Sequence, residues 1–137
     1  MITGKYPSLR LRRSRKSSWS RRLVSENNLS PNDFILPIFL IEGKNKTQPI
    51  KSMPGVSRYS INRLGTILDR AIKNRIPMVA LFPYTSPKLK DHLGSEALNE
   101  DNLVCRATKY IKNKYKNQIG IMCDVALDPY TIHGHDG

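Results

Sequence analysis

The chain has 137 residues, of which 39% are hydrophobic and 25% charged, a balance that supports a packed core and excludes wholesale disorder. No apolar run approaches the roughly 20 residues of a membrane span, and the basic N-terminus lacks the apolar segment of a secretory signal. The net charge is +12, and the two cysteines, Cys105 and Cys123, are too few for a disulfide scaffold, so the expectation is a reduced, soluble, cytoplasmic protein.

Residues 1–30 read as a basic arm. Eight of the 23 cations (Lys5, Arg10, Arg12, Arg13, Arg15, Lys16, Arg21 and Arg22) precede the first acid, Glu26. The other 15 stand against all 11 acids from Glu26 onward, so the rest of the chain is nearly ordinary in charge. Two readings of the arm stand side by side: a nucleic-acid or anionic-lipid ligand acting through counterion release, or a segment that docks on a partner subunit. Trp19 and Leu23 are spaced to share the face of a short helical turn, with Val24 beside them. Leu9 and Leu11 are further apolar anchors among the arginines.

Ser30-Pro31-Asn32-Asp33 signals a turn or helix start, and residues 34–41 form a strand-sized apolar run. Pro37 has no N–H to donate, so the strand starts after it or lies at an edge there. Residues 42–55 read as a loop, with Ser52-Met-Pro-Gly as a turn rather than a phosphate loop. Ser60 is placed to cap a helix running to about Asn74, with Ile61, Leu64, Leu68, Ala71 and Ile72 at helical spacing and Pro77 as its stop. Residues 78–82 make a short strand closed by Pro83, and 84–99 a polar loop. Asn99 is placed to cap a second helix in which Leu103, Ala107, Ile111 and Tyr115 share a face; Lys109, Lys112, Lys114 and Lys116 form its solvated side. Cys105 within it reads as an inert thiol. A third strand is expected over 121–127, followed by a loop rich in Gly, His and Asp. Strands alternating with helices imply parallel pairing through right-handed crossovers. Three strands and two helices are few for an independent sheet, so the expectation is the opening part of a larger α/β domain.

The densest cluster of chemistry lies at Asp124-Val-Ala-Leu-Asp128-Pro-Tyr-Thr-Ile-His133-Gly-His135-Asp136. If the strand runs through it, Met122, Asp124, Ala126 and Asp128 share one face and Cys123 points to the other. Carboxylates at the C-terminal end of a parallel strand stand where ligands bind in open sheets and in barrels. A lone Asp there is as often a loop cap, but five ionisable groups in so short a stretch favour a site for acid–base chemistry or a metal. Phe82, ending the second strand, lines a pocket or, as the more ordinary role, the core.

Here the sequence resembles the porphobilinogen synthase family, also called delta-aminolevulinic acid dehydratase. The same resemblance extends to Leu29-Ser-Pro-Asn-Asp-Phe-Ile-Leu-Pro37, Ser52-Met-Pro-Gly-Val56 with Arg58-Tyr59-Ser60, Ala80-Leu-Phe-Pro83, and Lys90-Asp91 with Gly94-Ser-Glu-Ala97, all in order. It implies a (β/α)8 TIM barrel of about 250 residues, of which this chain carries the arm and the first three strands. It implies condensation of two 5-aminolevulinate molecules to porphobilinogen with loss of water, in haem and tetrapyrrole biosynthesis. It also implies homo-octamers wrapped by the arm, with neither nucleic acid nor membrane as partner. The two Schiff-base lysines and the magnesium site would lie beyond Gly137, so the chain alone is expected to be inactive. On the same resemblance Asp124, Asp128 and Asp136 are assigned to catalysis, and Phe82, Asp128 and Asp136 to substrate binding. Zinc-dependent members carry cysteines where this chain has Ala126, Asp128 and Asp136, with a histidine matching His135. Hard oxygens in place of thiolates imply the zinc-independent, aspartate-rich type. The alternative function is a basic nucleic-acid-binding module built on the arm.

Overall fold

A computed structural model describes residues 4–136. They fall into two compact units, divided between Ser30 and Pro31. In the first, a 3-10 turn at Arg13–Arg15 precedes α1, Ser18–Leu23. The Ser20 hydroxyl accepts from the Ser17 N–H (3.3 Å) and donates to the Ser17 carbonyl (2.9 Å), tying off the start of α1. Arg21 Nη1 donates to the Arg15 carbonyl (2.9 Å), and the Arg10 guanidinium lies 5.8 Å from the centre of the Tyr6 ring. Trp19 and Leu23 do share a face of α1 and are exposed, as are Leu11 and Val24.

The second unit is a five-stranded sheet in the order β2-β3-β1-β4-β5. The strands are β1 (Ile35–Ile41), β2 (Thr47–Pro49), β3 (Ser57–Tyr59), β4 (Met78–Tyr84) and β5 (Gly120–Cys123). β1, β4 and β5 pair in parallel, as the alternation of elements predicts, through crossover helices α2 (Leu64–Lys73) and α3 (Leu103–Tyr115). The hairpin β2–β3 lies in a stretch that reads as loop up to Gly55; its strands have three residues each, too short for an alternation signal. β3 pairs with β1 in parallel, but only from Phe39↔Arg58 onward. Between Ile35 and Ile38, β1 is therefore laddered on the β4 side alone. Pro37 is tolerated inside the strand for that reason, and the strand does not start after it. By the same logic β4 continues through Pro83 to Tyr84.

Both caps differ from expectation. The Ser60 hydroxyl accepts from the Lys46 N–H (2.8 Å) and donates to Asn62 Oδ1 (2.9 Å), so it ties a loop rather than capping α2. A 3-10 turn, Ile61–Arg63, leads into α2 instead. Asn102, not Asn99, caps α3, its Oδ1 accepting from the Cys105 N–H at 2.9 Å; Asn99 Oδ1 accepts from the Asp101 N–H. α2 also ends before Pro77 acts on it. Arg75 takes a left-handed φ of 60°, and the N–H groups of Arg75 and Ile76 return to the carbonyls of Ile72 and Ala71.

One core holds this unit together. Leu64, Leu68 and Ala71 of α2 and Leu103, Ala107, Ile111 and Tyr115 of α3 pack on Ile38, Leu40, Val79 and Leu81. Tyr115 Oη donates to Asp69 Oδ1 (2.8 Å), joining the two helices. Both helices therefore lie on the same face of the sheet. The alternate residues Pro37, Phe39, Ala80, Phe82, Tyr84 and Met122 line the other face, which no described helix of this unit covers. Phe82, Tyr84 and Met122 are 37%, 45% and 43% exposed. Among the described residues no helix is long and apolar enough to cross a membrane.

Candidate active site

The cluster picked out in the sequence lies at the C-terminal edge of the parallel strands, where the loops after β4 and β5 meet. β5 stops at Cys123, short of the expected Leu127. Asp124 therefore lies just past the strand, and the expected sharing of one face by Met122, Asp124, Ala126 and Asp128 does not hold. Met122 is on the uncovered face, whereas Asp124 and Ala126 line a groove of 730 Å³ beside α3 with Cys123, Thr108 and Tyr130. Cys123 does face away from Met122, its Sγ lying 3.5 Å from Thr108 Oγ1.

Past the strand, a carboxylate organises the backbone. Asp136 Oδ1 accepts from the N–H groups of Leu127 (2.5 Å) and Asp128 (2.9 Å). A side chain thus satisfies two backbone donors of the loop that follows the strand. This brings Asp128 and Asp136 together, with both residues exposed. Asp124 is not drawn into that pair by any hydrogen bond. Thr131 Oγ1 donates to the His135 carbonyl (3.0 Å), and the His135 N–H points to His133 Nδ1 (3.3 Å). His133 Nε2 lies 3.4 Å from the His92 carbonyl, so the β5 loop touches the β4 loop. The rings of His92, His133 and His135 stack in succession, with centroids 6.3 and 6.0 Å apart.

Phe82 is at the same edge but on the uncovered face. Its ring packs on Phe39 at 5.7 Å, so the ordinary expectation of a core residue is not met. Arg58 stands beside Phe39 in register, its guanidinium 4.7 Å from the centre of the Tyr84 ring. Among the described residues no group of three His, Cys, Asp or Glu side chains is arranged to hold a metal ion.

Lys90-Asp91 belongs to one of the family-like motifs, with no role for Asp91 evident from the sequence. Asp91 Oδ1 accepts from the N–H groups of Leu93 (2.9 Å) and Ser95 (3.0 Å), and its backbone bridges to Thr131. Hydrogen bonds, from Ser95 first and then from Leu93 and Gly94, outweigh the opposing desolvation and hold its carboxyl below the usual range. The signal available in the sequence is an Asp followed closely by a Gly, an ordinary turn pattern.

Comparison with known proteins agrees with this architecture. The model of the family "Delta-aminolevulinic acid dehydratase" matches residues 8–137, including most of the arm, which leaves the nucleic-acid reading without support. A delta-aminolevulinic acid dehydratase of Bradyrhizobium diazoefficiens is 54% identical over 95% of the chain, and that of Chlamydia pneumoniae 42% identical over 95%. The crystal structure of delta-aminolevulinic acid dehydratase (porphobilinogen synthase) from Toxoplasma gondii, in complex with the reaction product porphobilinogen, superposes with a TM-score of 0.85 at 38% identity over 94% of the chain. The chain spans 36% and 39% of the two relatives and 36% of the solved chain, about a third of their length. A mixed sheet with its helices on one face, carboxylate-bearing loops at the strand ends and a family match over nearly every residue lead to one conclusion: the chain belongs to the delta-aminolevulinic acid dehydratase family.

Proposed function

We propose that these residues form part of a porphobilinogen synthase, which joins two 5-aminolevulinate molecules and expels water. The match over residues 8–137 carries this reading. The fold supports its barrel form. β1, β4 and β5 follow one another in the sheet, and both crossover helices lie on the same side. Repeating that step curls a parallel sheet round until it closes, with helices outside and the uncovered face inside. The exposed Phe82, Tyr84 and Met122 then become interior residues, and the Asp-bearing loop sits at the C-terminal mouth. The arm, residues 1–30, and the barrel portion, 31–137, are proposed as separate functional parts, the arm serving assembly into octamers.

Within the mouth, Asp128 and Asp136 are assigned to the substrate ammonium group or to water beside it, Asp124 to the same acid–base environment, and Phe82 to the pocket wall. A carboxylate in a partly closed cleft can accept a proton from an ammonium group and return it later. Zinc does not suit the positions that bind it in zinc-type members. Ala126 has no ligating atom, Asp128 and Asp136 offer hard oxygens, and Asp136 Oδ1 already accepts two N–H bonds. Magnesium, and the two lysines that form Schiff bases, are on this reading supplied from outside these residues.

The direct test is turnover. Full-length protein containing this segment converts 5-aminolevulinate to a pyrrole that develops colour with an aldehyde reagent, while the 137 residues alone do not, for want of an activated amine. Colour above blank from the isolated segment would refute the division of labour; no colour from the full-length protein would refute the activity itself.

A further inference from the structure

We propose that Asp91 is a positioning residue, which holds the carboxylate-bearing loop 124–136 in place by shaping the β4 loop against it. Its catalytic consequence rests on the porphobilinogen synthase reading; its structural part does not.

The side chain and the backbone of Asp91 act on different loops. Oδ1 closes a tight turn by accepting from Leu93 and Ser95. The backbone N–H donates to the Tyr130 carbonyl (3.3 Å), and the backbone carbonyl accepts from the Ile132 N–H (3.0 Å). Asp91 and Thr131 thus form a one-residue parallel bridge. The turn made by the side chain also lies against the second loop. Gly94 sits in it at φ +67°, and a Cβ there would meet Thr131 Cγ2 at 3.4 Å and Leu127 Cδ2 at 3.6 Å. So the turn both requires glycine and fits against residues 127 and 131.

From Thr131 the contact chain reaches the site in two steps. Thr131 Oγ1 donates to the His135 carbonyl, and the neighbouring Asp136 binds the N–H groups of Leu127 and Asp128. The Tyr130 and Thr131 N–H groups both return to the Leu127 carbonyl, closing the loop on itself. Asp91 therefore grips the middle of a closed loop that presents Asp128 and Asp136 from its two ends. It touches neither carboxylate. Two N–H bonds to one oxygen favour the ionised side chain, consistent with the lowered pKa.

The test compares Asp91→Ala with Asp91→Asn in the full-length protein, since asparagine keeps an Oδ1 acceptor for the two N–H groups while losing the charge and exchanging the second oxygen for an NH2 group. Amide hydrogen exchange is followed in peptides covering 84–99, 124–136 and α3. In Asp91→Ala, exchange over 124–136 rises about 10-fold or more while α3 is unchanged, and kcat/KM for 5-aminolevulinate falls about 10-fold or more, as displaced catalytic groups produce. Asp91→Asn stays within about threefold of the parent on both readouts, because the acceptor geometry survives. Unchanged exchange over 124–136 in Asp91→Ala overturns the proposal, as does an equal rise in α3, which would mean general destabilisation. A loosened loop with intact kcat/KM overturns its catalytic part. If the parent protein makes no porphobilinogen yet Asp91→Ala frees the loop, the positioning stands and the assigned activity falls.

Discussion

At the scale of single residues, the candidate site is built around carboxylates bonded to backbone. Asp136 has two N–H partners and Asp91 has two, so each arranges a loop before it does any chemistry. For Asp91 the lowered pKa gives a pH dependence whose sign follows from linkage. The folded state binds the proton less tightly than the unfolded chain, so the stabilisation is present above the ordinary Asp pKa and is lost as pH falls through the lower folded value. Thermal stability measured on the acid side should decline less steeply in Asp91→Asn than in the parent; identical acid limbs would refute this. Tyr115 titrates in the opposite direction. Burial first, then its bond to Asp69, raises its pKa, so its contribution is intact below the ordinary tyrosine pKa and fades as pH climbs through the raised one. Tyr115→Phe removes that bond and should cost about 1 kcal/mol in denaturant unfolding, a typical value for one hydrogen bond. The metal expectation belongs to this scale too. Chelators that strip zinc should leave the turnover of the full-length protein largely unchanged, and one tightly bound zinc per subunit would contradict that.

At the scale of elements, α3 shows how local sequence and tertiary packing divide the work. Leu103, Ala107, Ile111 and Tyr115 recur at helical spacing, and all four are buried. Their spacing alone predicts both the helix and its buried face. The cap is harder to place, because Asn99 and Asn102 both precede the apolar run, and either could donate an acceptor oxygen. The structure selects Asn102, which also sits buried with its Oδ1 on the Cys105 N–H. Asn102→Ala should destabilise by about 1 kcal/mol, the usual cost of a lost N-cap, and Asn99→Ala by much less. Ile111→Ala, at a site 1% exposed, should cost about 2–5 kcal/mol by leaving a cavity. Equal effects at Asn99 and Asn102 in urea titrations would show the assignment of the cap to be wrong.

At the scale of the whole molecule, the decisive feature is a sheet clothed on one side. An apolar face bearing Phe39, Phe82, Tyr84 and Met122 is unusual to leave in water. In the proposed barrel it turns inward. The first unit adds a second apolar surface, with Trp19 and Leu23 63% and 78% exposed among arginines. Arginine pairs with carboxylates in a bidentate manner and is enriched at interfaces, which suits a segment lying on another subunit. Deleting residues 1–24 from the full-length protein should lower its oligomeric mass in light scattering, with activity falling in step. Retention of full assembly together with loss of RNA affinity would instead establish the arm as a nucleic-acid ligand.

Period and punctuation in the sequence determined much of this. The helical spacing of Leu64, Leu68 and Ala71 and of Leu103 through Tyr115, the apolar runs of β1 and β4, and the strand–helix alternation prescribe a parallel sheet, because each is a local pattern that one packing satisfies. The motif resemblance likewise points to 124–136 as the candidate site. Four features lay outside that reach. The short strands β2 and β3 depend on pairing partners rather than on their own residues. Pro37 and Pro83 stay in strands because of which neighbour is present on which side. β5 stops at Cys123, and the loop beyond it is shaped by Asp136, which takes the N–H groups of Leu127 and Asp128 from the far end of that loop. The bridge from Asp91 to Thr131 joins two loops that no local pattern relates. Each is a hydrogen bond or ladder between distant segments, and only the tertiary fold decides where such a bond finds its partner.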